Sequence, residues 1–186
     1  SGAGKVTLVL GSNLINLATG TYNLISYTGS QLGTVNQVNT AFAFTGTQGI
    51  RQVVSVINGA NAIALSVTAD YPVWSGAASS DWSALSGSWV KNSDGTTTSF
   101  LPNDNVVFNS SATTGTVNLS ADVTPYSATF TGDTLNYTLG STGGKVAGGQ
   151  LIKSGLSTLT INNSNAFTSA TASGGTLKLG VGNAIA

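Results

Sequence analysis

The last third of the chain contains Gly148-Gly149-Gln150-Leu151-Ile152-Lys153-Ser154-Gly155, and the pattern returns as Gly174-Gly175-Thr176-Leu177-Lys178-Leu179-Gly180. Between them, Ser157-Thr158-Leu159-Thr160-Ile161-Asn162-Asn163 supplies another alternating run and an Asn-rich corner. Apolar residues at every second position favour strands with one buried face. A repeat period of about 20 to 50 residues is typical of solenoids, in which each unit buries its apolar face against a neighbour. These stretches predict parallel stacked strands with the following side chains facing inward: Leu151, Leu159, Ile161, Leu177 and Leu179.

The same alternation extends through the rest of the chain. Between the alternating runs lie Gly-containing turn signals such as Asn58-Gly59, Thr131-Gly132 and Gly143-Gly144. No stretch has the apolar stripe and the caps of a helix, so the sequence predicts an all-β protein. The alternating apolar sets are Val6, Leu8 and Leu10; Ile63, Leu65 and Val67; Val117 and Leu119; and Leu135, Tyr137 and Leu139.

The composition excludes several classes of function. Among 186 residues only 6% are charged, the formal net charge is zero, and there is no His, Cys or Met. Without His and Cys the chain lacks the usual zinc ligands, the Ser-His-Asp triad and thiol nucleophiles. Six cations cannot form the basic surface that nucleic acid or anionic lipid requires. The longest strictly apolar runs, such as Ala62–Leu65, are too short for a membrane helix, so we expect no nucleic acid partner and no membrane insertion by this segment.

The repeat resembles a known family, the autotransporter-associated β-strand repeat of large bacterial surface proteins. Its usual form begins G-x-L-x-K-x-G-x-G-T-L-T-L and continues to N-x-Y-T-G-G-T and G-T-L-x-L-G. Residues 149–180 follow this form closely. Ala166-Phe167 stands where Thr-Tyr is common, and Ser169-Ala170-Thr171 replaces Gly-Gly-Thr. These departures change the corner and leave the strand pattern intact.

The preceding residues are similar to the entry and exit segments of the same proteins. The entry segment of one large unit is similar to Val73–Trp82, Trp89, Leu101–Phe108 and Val123–Phe130. The exit segment of the unit before is similar to Thr21–Thr68. The resemblance implies a right-handed parallel β-helix with a β-rich junction around residues 71–108. It also implies export to the bacterial cell surface or outer membrane.

Two organisations of the chain follow. Residues 1–70 can be the tail section of one β-solenoid unit, with 71–186 as the head section of the next unit and the repeat at 149–180. Alternatively, Tyr71-Pro72 marks a boundary between two β domains. We favour the single solenoid.

Acidic residues are the remaining side chains that could act in catalysis or bind a metal ion. A pair of carboxylates could cleave a glycan, and Asn103-Asp104-Asn105 could hold calcium. However, these Asp residues lie in turn-like settings such as Ser93-Asp94-Gly95, where the side chain accepts hydrogen bonds from its own backbone. We therefore assign no catalytic, cofactor-binding or metal-binding role to any residue. The acidic residues considered are Asp81, Asp94, Asp104, Asp122 and Asp133.

Three Trp residues, Trp74, Trp82 and Trp89, recur at short intervals. Exposed in a row, they could stack on sugar rings; buried, they would cover the open edge between two units. We favour burial. The other aromatic residues predicted to lie in the core are Tyr22, Tyr27, Phe42, Phe44, Phe108, Phe130 and Tyr137.

The few cations are scattered singly, which is typical of edge protection and solubility. They are Lys5, Arg51, Lys91, Lys145, Lys153 and Lys178. Since Val6–Ile50 carries no charge at all, little repels an approaching β surface. Both ends of the sequence run in strand pattern without a helix or a charge cluster, so we expect open rungs that stack end to end.

The leading hypothesis is a non-enzymatic cell-surface β-solenoid, a segment of a fibre, stalk or adhesin without a cofactor. Its partners would be further β edges, from copies of the chain or from its continuation. The first alternative is a carbohydrate-binding module that contacts surface glycans through exposed Trp82 or Trp89. The second is a polysaccharide-cleaving β-helix, which would need two or more Asp side chains in one groove.

Overall fold

The computed structural model describes residues 19–28, 51–82 and 87–185, and these contain strands, turns and loops but no helix. The chain divides into two compact units, Ser1–Asp70 and Tyr71–Ala186. The predicted strand at Val6, Leu8 and Leu10 and the predicted core residues Phe42 and Phe44 lie outside the described residues.

The described part of the first unit is a three-stranded antiparallel sheet. Strands β1 (Gly20–Ser26), β2 (Gln52–Asn58) and β3 (Ala62–Ala69) are ordered β1-β3-β2. Strands β2 and β3 form a hairpin at the predicted Asn58-Gly59 turn, where the Gly59 amide donates to the Ala62 carbonyl (2.8 Å). Tyr22 and Tyr27, predicted to be core residues, are half-buried. These strands are antiparallel, unlike solenoid rungs, and the assignment of 1–70 to the tail of a preceding solenoid unit stays a prediction.

The second unit begins with three short strands that pair antiparallel. They are β4 (Pro72–Trp74), β5 (Trp89–Lys91) and β6 (Thr97–Thr98). They belong to a seven-stranded sheet whose order is β13-β11-β9-β7-β4-β5-β6. The predicted β-rich junction is therefore an antiparallel extension of the sheet that follows it.

From β7 onwards the second unit is a β-solenoid of parallel stacked strands, as the repeat predicts. One side of the coil continues the seven-stranded sheet, and the other is a four-stranded sheet ordered β14-β12-β10-β8. The first side contains β7 (Asn105–Phe108), β9 (Ser127–Phe130), β11 (Gln150–Lys153) and β13 (Ser169–Ala172). The second contains β8 (Thr116–Leu119), β10 (Tyr137–Ser141), β12 (Thr158–Ile161) and β14 (Thr176–Leu179).

Parallel register aligns like residues into columns across the rungs. Val117, Leu139, Ile161 and Leu179 form one column on the inner face of the four-stranded sheet. On the other sheet, the rings of Phe108 and Phe130 stack with centroids 4.3 Å apart and planes at 7°. Such columns bury apolar area continuously along the coil, and this burial is the main stabilising term of the fold.

The predicted burial of the inward side chains is confirmed for three residues. At the last rung the side chains are more exposed than predicted. Leu151, Leu159 and Ile161 are no more than 1% exposed, as expected. In contrast, Leu177 is half-buried and Leu179 is 53% exposed. The reason is that β14 has a neighbouring strand on one side only, so no rung covers its columns.

Candidate functional site

The two ends of the solenoid unit differ, and the first end is closed by aromatic rings. Trp74, Trp82 and Trp89 are all 0% exposed. Trp82 packs against Phe100 and Phe108 with ring centroids 5.8 and 5.1 Å apart. The predicted burial is confirmed, and it leaves none of the three rings available to stack on a sugar.

The second end is an open rung built from β13 and β14. Each is the terminal strand of its sheet, so in the described part of the chain one edge of its backbone N–H and C=O groups has no strand beside it. All four residues of β13 are exposed, and so are three of the four residues of β14. Unpaired strand edges with exposed apolar side chains, here Leu179 and Val181 (40% exposed), favour the addition of another strand. This open rung is the candidate functional site.

Lys153 links the open rung to the rung before it through hydrogen bonds. Its side chain is 0% exposed and pairs in register with Phe130 on one side and Ala172 on the other. The Nζ atom donates hydrogen bonds to the carbonyl oxygens of Gly155 and Gly174 (3.2 Å to Gly174). The prediction that every cation serves solubility is therefore wrong for Lys153. The burial of Lys153 could have been predicted from its spacing of two residues from Leu151, because this spacing places both side chains on the inner face of the strand.

Burial lowers the pKa of Lys153, and the negative charge of Asp133 opposes this shift. The folded state therefore binds the proton less tightly than the unfolded state, in which the pKa is near 10.5. As the pH rises from the folded pKa towards 10.5, we expect the free energy of unfolding to increase, and below that window the penalty is constant. Urea unfolding across this range should show the increase in the wild type and in Lys145→Met, which loses an exposed charge. The increase in the free energy of unfolding should be absent in Lys153→Met. If that variant shows the same increase, the deprotonation of Lys153 is not its cause.

Asn165 joins three successive rungs at the corner beside the open end. Its side chain is 3% exposed; Oδ1 accepts from the Val146 amide (2.9 Å) and Nδ2 donates to the Ala184 carbonyl (3.2 Å). Ala184 is consequently held against the core at 1% exposure. The corner amide thus bonds to backbone across the rungs, and the segment after β14 covers the corner while the edge of β14 stays open.

Several Asp carboxylates accept hydrogen bonds from backbone amides, as the turn interpretation predicts. Asp94 and Asp104 bond locally, and the Thr96 hydroxyl and amide lower the pKa of Asp94. Asp122 and Asp133 act differently, since they accept from amides of the next rung, those of Lys145 (3.1 Å) and Leu156 (2.9 Å). These two carboxylates therefore hold rungs together, which local turn patterns cannot reveal.

An open polar hollow of about 470 Å³ lies beside the Asn-rich corner. It brings together one carboxylate, that of Asp122, with Lys145 and the Asn163 amide. Its lining contains no aromatic ring and no second carboxylate, so it offers neither a sugar-stacking platform nor an acid–base pair. In the described part of the chain, no three acidic side chains come together in a way that could hold a metal ion.

Residues 19–28, 51–82 and 87–185 include no helix that is long and apolar enough to cross a membrane.

Comparison with known proteins adds no assignment: no family model, curated protein or solved structure matches the chain.

Proposed function

We propose that this protein is a non-enzymatic structural segment of a bacterial cell-surface fibre, stalk or adhesin, extended by strand addition at its open rung. The observation that carries the proposal is the asymmetry of the solenoid unit. Aromatic rings close its first end, while the outer edges of β13 and β14 have no neighbouring strand among the described residues. A rung in this state favours another β edge, because its N–H and C=O groups and its apolar columns gain partners there.

Composition supports the same role. A net charge of zero and 6% charged residues leave little long-range repulsion between copies. The carboxylates of Asp94, Asp104, Asp122 and Asp133 accept hydrogen bonds within turns or between rungs, which supports a structural role for them. The extracellular, cell-surface location rests on the resemblance of residues 149–180 to the autotransporter-associated repeat.

The test is whether the chain assembles through this end. Light scattering and electron microscopy should show linear particles whose length increases with protein concentration. Leu179→Lys places a charge on the open edge and should reduce assembly strongly. Leu156→Lys, at a position that is 76% exposed and lies outside β13 and β14, should assemble like the wild type. A monodisperse wild-type monomer at high concentration would overturn the proposal.

A further inference from the structure

We propose that Lys153 selects the register in which β14 pairs with β12. The apolar pattern of the two strands allows more than one register, whereas the hydrogen bonds of the buried ammonium group favour the observed one. This role is separate from assembly at the open rung, since it concerns how the solenoid folds.

The strand pattern by itself leaves the register of β14 on β12 open. In the structure Thr158 lies beside Thr176. A shift of β14 by two residues keeps each side chain on the same face, because the side-chain period of a strand is two. After such a shift Thr160 takes the place of Thr158 beside Thr176, and Ile161 lies beside Leu177. Thr still meets Thr and an apolar side chain still meets an apolar one, so the pairing of like residues does not distinguish the two registers.

The acceptors of Lys153 do distinguish them. Its side chain is 0% exposed, and Nζ donates to the carbonyl oxygens of Gly155, two residues along the chain, and of Gly174 (3.2 Å to Gly174). Gly174 lies in the turn between β13 and β14, two residues before β14, and moves with it. A shift by two residues displaces the backbone by about 6.6 Å along the strand, which takes the Gly174 carbonyl beyond hydrogen-bond distance. The ammonium group would then be buried without one of its two acceptors, and this is costly for a charged donor.

The glycines of this turn allow the backbone to come close to the ammonium group. A Cβ atom at Gly175 would lie 2.7 Å from Nζ, and one at Gly174 would overlap the Ser154 carbonyl oxygen. Neither position therefore accepts a side chain in the observed register. The turn consequently presents a backbone carbonyl, rather than a side chain, to Lys153.

Apolar side chains occupy the same column in the earlier rungs. Lys153 pairs with Phe130, and Phe130 pairs with Phe108, whose ring stacks on it. An apolar residue at position 153 would fill the column without requiring an acceptor. A buried charged group instead carries a penalty in any register that does not supply its partners, and such groups can fix register at a cost in stability. The energy of Lys153 therefore depends on register in a way that the energy of an apolar side chain does not.

Disulfide trapping measures the register directly, because the chain has no Cys of its own. The double variant Thr158→Cys/Thr176→Cys reports the observed register, and Thr160→Cys/Thr176→Cys reports the shifted one. A disulfide requires Cα atoms about 4.4–6.8 Å apart, a range that direct neighbours on adjacent strands satisfy and diagonal neighbours exceed. Each variant is unfolded in urea and refolded under mild oxidation, at a concentration too low for intermolecular disulfides. Peptide mass spectrometry then identifies the bond formed.

With Lys153 present, the pair at 158 and 176 should close at least about tenfold faster than the pair at 160 and 176. After Lys153→Met this ratio should fall by about tenfold. Lys145→Met, which also removes a charge but at an exposed side chain, is the matched control and should keep the full ratio.

Two results would overturn the inference. An unchanged ratio in Lys153→Met would assign the register to the glycine turn or to the apolar columns. Loss of both disulfides in Lys153→Met, together with its β-sheet signal in circular dichroism, would show that Lys153 is required for the fold itself rather than for the choice of register.

Discussion

Replacing Leu159 with Asp is expected to unfold the solenoid unit at room temperature. Leu159 is 0% exposed and lies between Tyr137 and Leu177 in one column, with rungs on both sides. An ionised carboxylate at this fully buried position loses its hydration, and a buried charge without a paired cation costs several kcal/mol. Since domains of this size have about 5–15 kcal/mol of net stability, one such change is enough to remove most of it.

Leu156→Asp is the matched control for this substitution. It makes the same chemical change three residues earlier, at a side chain that is 76% exposed. Circular dichroism during heating should give a wild-type transition for Leu156→Asp and no cooperative transition for Leu159→Asp. Normal melting of Leu159→Asp would show that residue 159 faces solvent and that the inward register is wrong.

The solenoid itself could be predicted because its strongest signal is local. Alternation at Leu151, Leu159 and Ile161 specifies one buried face, and the returning Gly-Gly steps specify a stacked repeat. The parallel pairing of β11 with β9 and β13 was predictable on these grounds, and the burial of the three Trp residues was predictable from the large apolar area of their rings. In each case, a side-chain pattern within a few residues determines which face is buried.

What local patterns could not show are the contacts between rungs. The Asp122 carboxylate accepts a hydrogen bond from the Lys145 amide, and the Asp133 carboxylate accepts one from the Leu156 amide. Each bond joins residues 23 positions apart. Turn chemistry alone predicts local caps for both carboxylates, and the strand register decides the partner. The same holds for Lys153, whose acceptor on Gly174 belongs to the next rung.

The exposure of Leu177 and Leu179 was missed for a related reason. Leu177 and Leu179 alternate just as Leu159 and Ile161 do, and period two specifies the face of a strand without specifying whether a neighbour covers it. The exposed fraction of Leu179 follows from the position of β14 at the edge of its sheet. The same alternation thus forms buried core in one rung and an exposed edge in the next.

Trp82→Ala should cause the second largest loss of stability, because it removes a ring from the buried aromatic cluster at the first end of the solenoid. The ring is 0% exposed and contacts Trp89, Phe100 and Phe108 with centroids 5.1 to 5.8 Å apart. Truncation of a buried Trp to Ala typically costs about 3–5 kcal/mol, through lost transfer free energy and the cavity left behind. Urea unfolding should show the loss as a lower midpoint, and Tyr126→Ala, at a ring that is 58% exposed, should change it little.

Trp82→Phe separates the apolar packing of this ring from its polar atom. Among the described residues, the buried Nε1 atoms of Trp82 and Trp89 have no acceptor, whereas Nε1 of Trp74 donates to the Thr114 carbonyl (3.2 Å). Leaving a buried N–H unsatisfied costs about 1–3 kcal/mol, and Phe at position 82 removes that cost together with part of the ring. Trp74→Phe loses a similar area and also leaves the Thr114 carbonyl without its donor. We therefore expect Trp82→Phe to be clearly less destabilising than Trp74→Phe in the same unfolding measurement. Equal losses would show that ring volume alone determines the stability of the closed end.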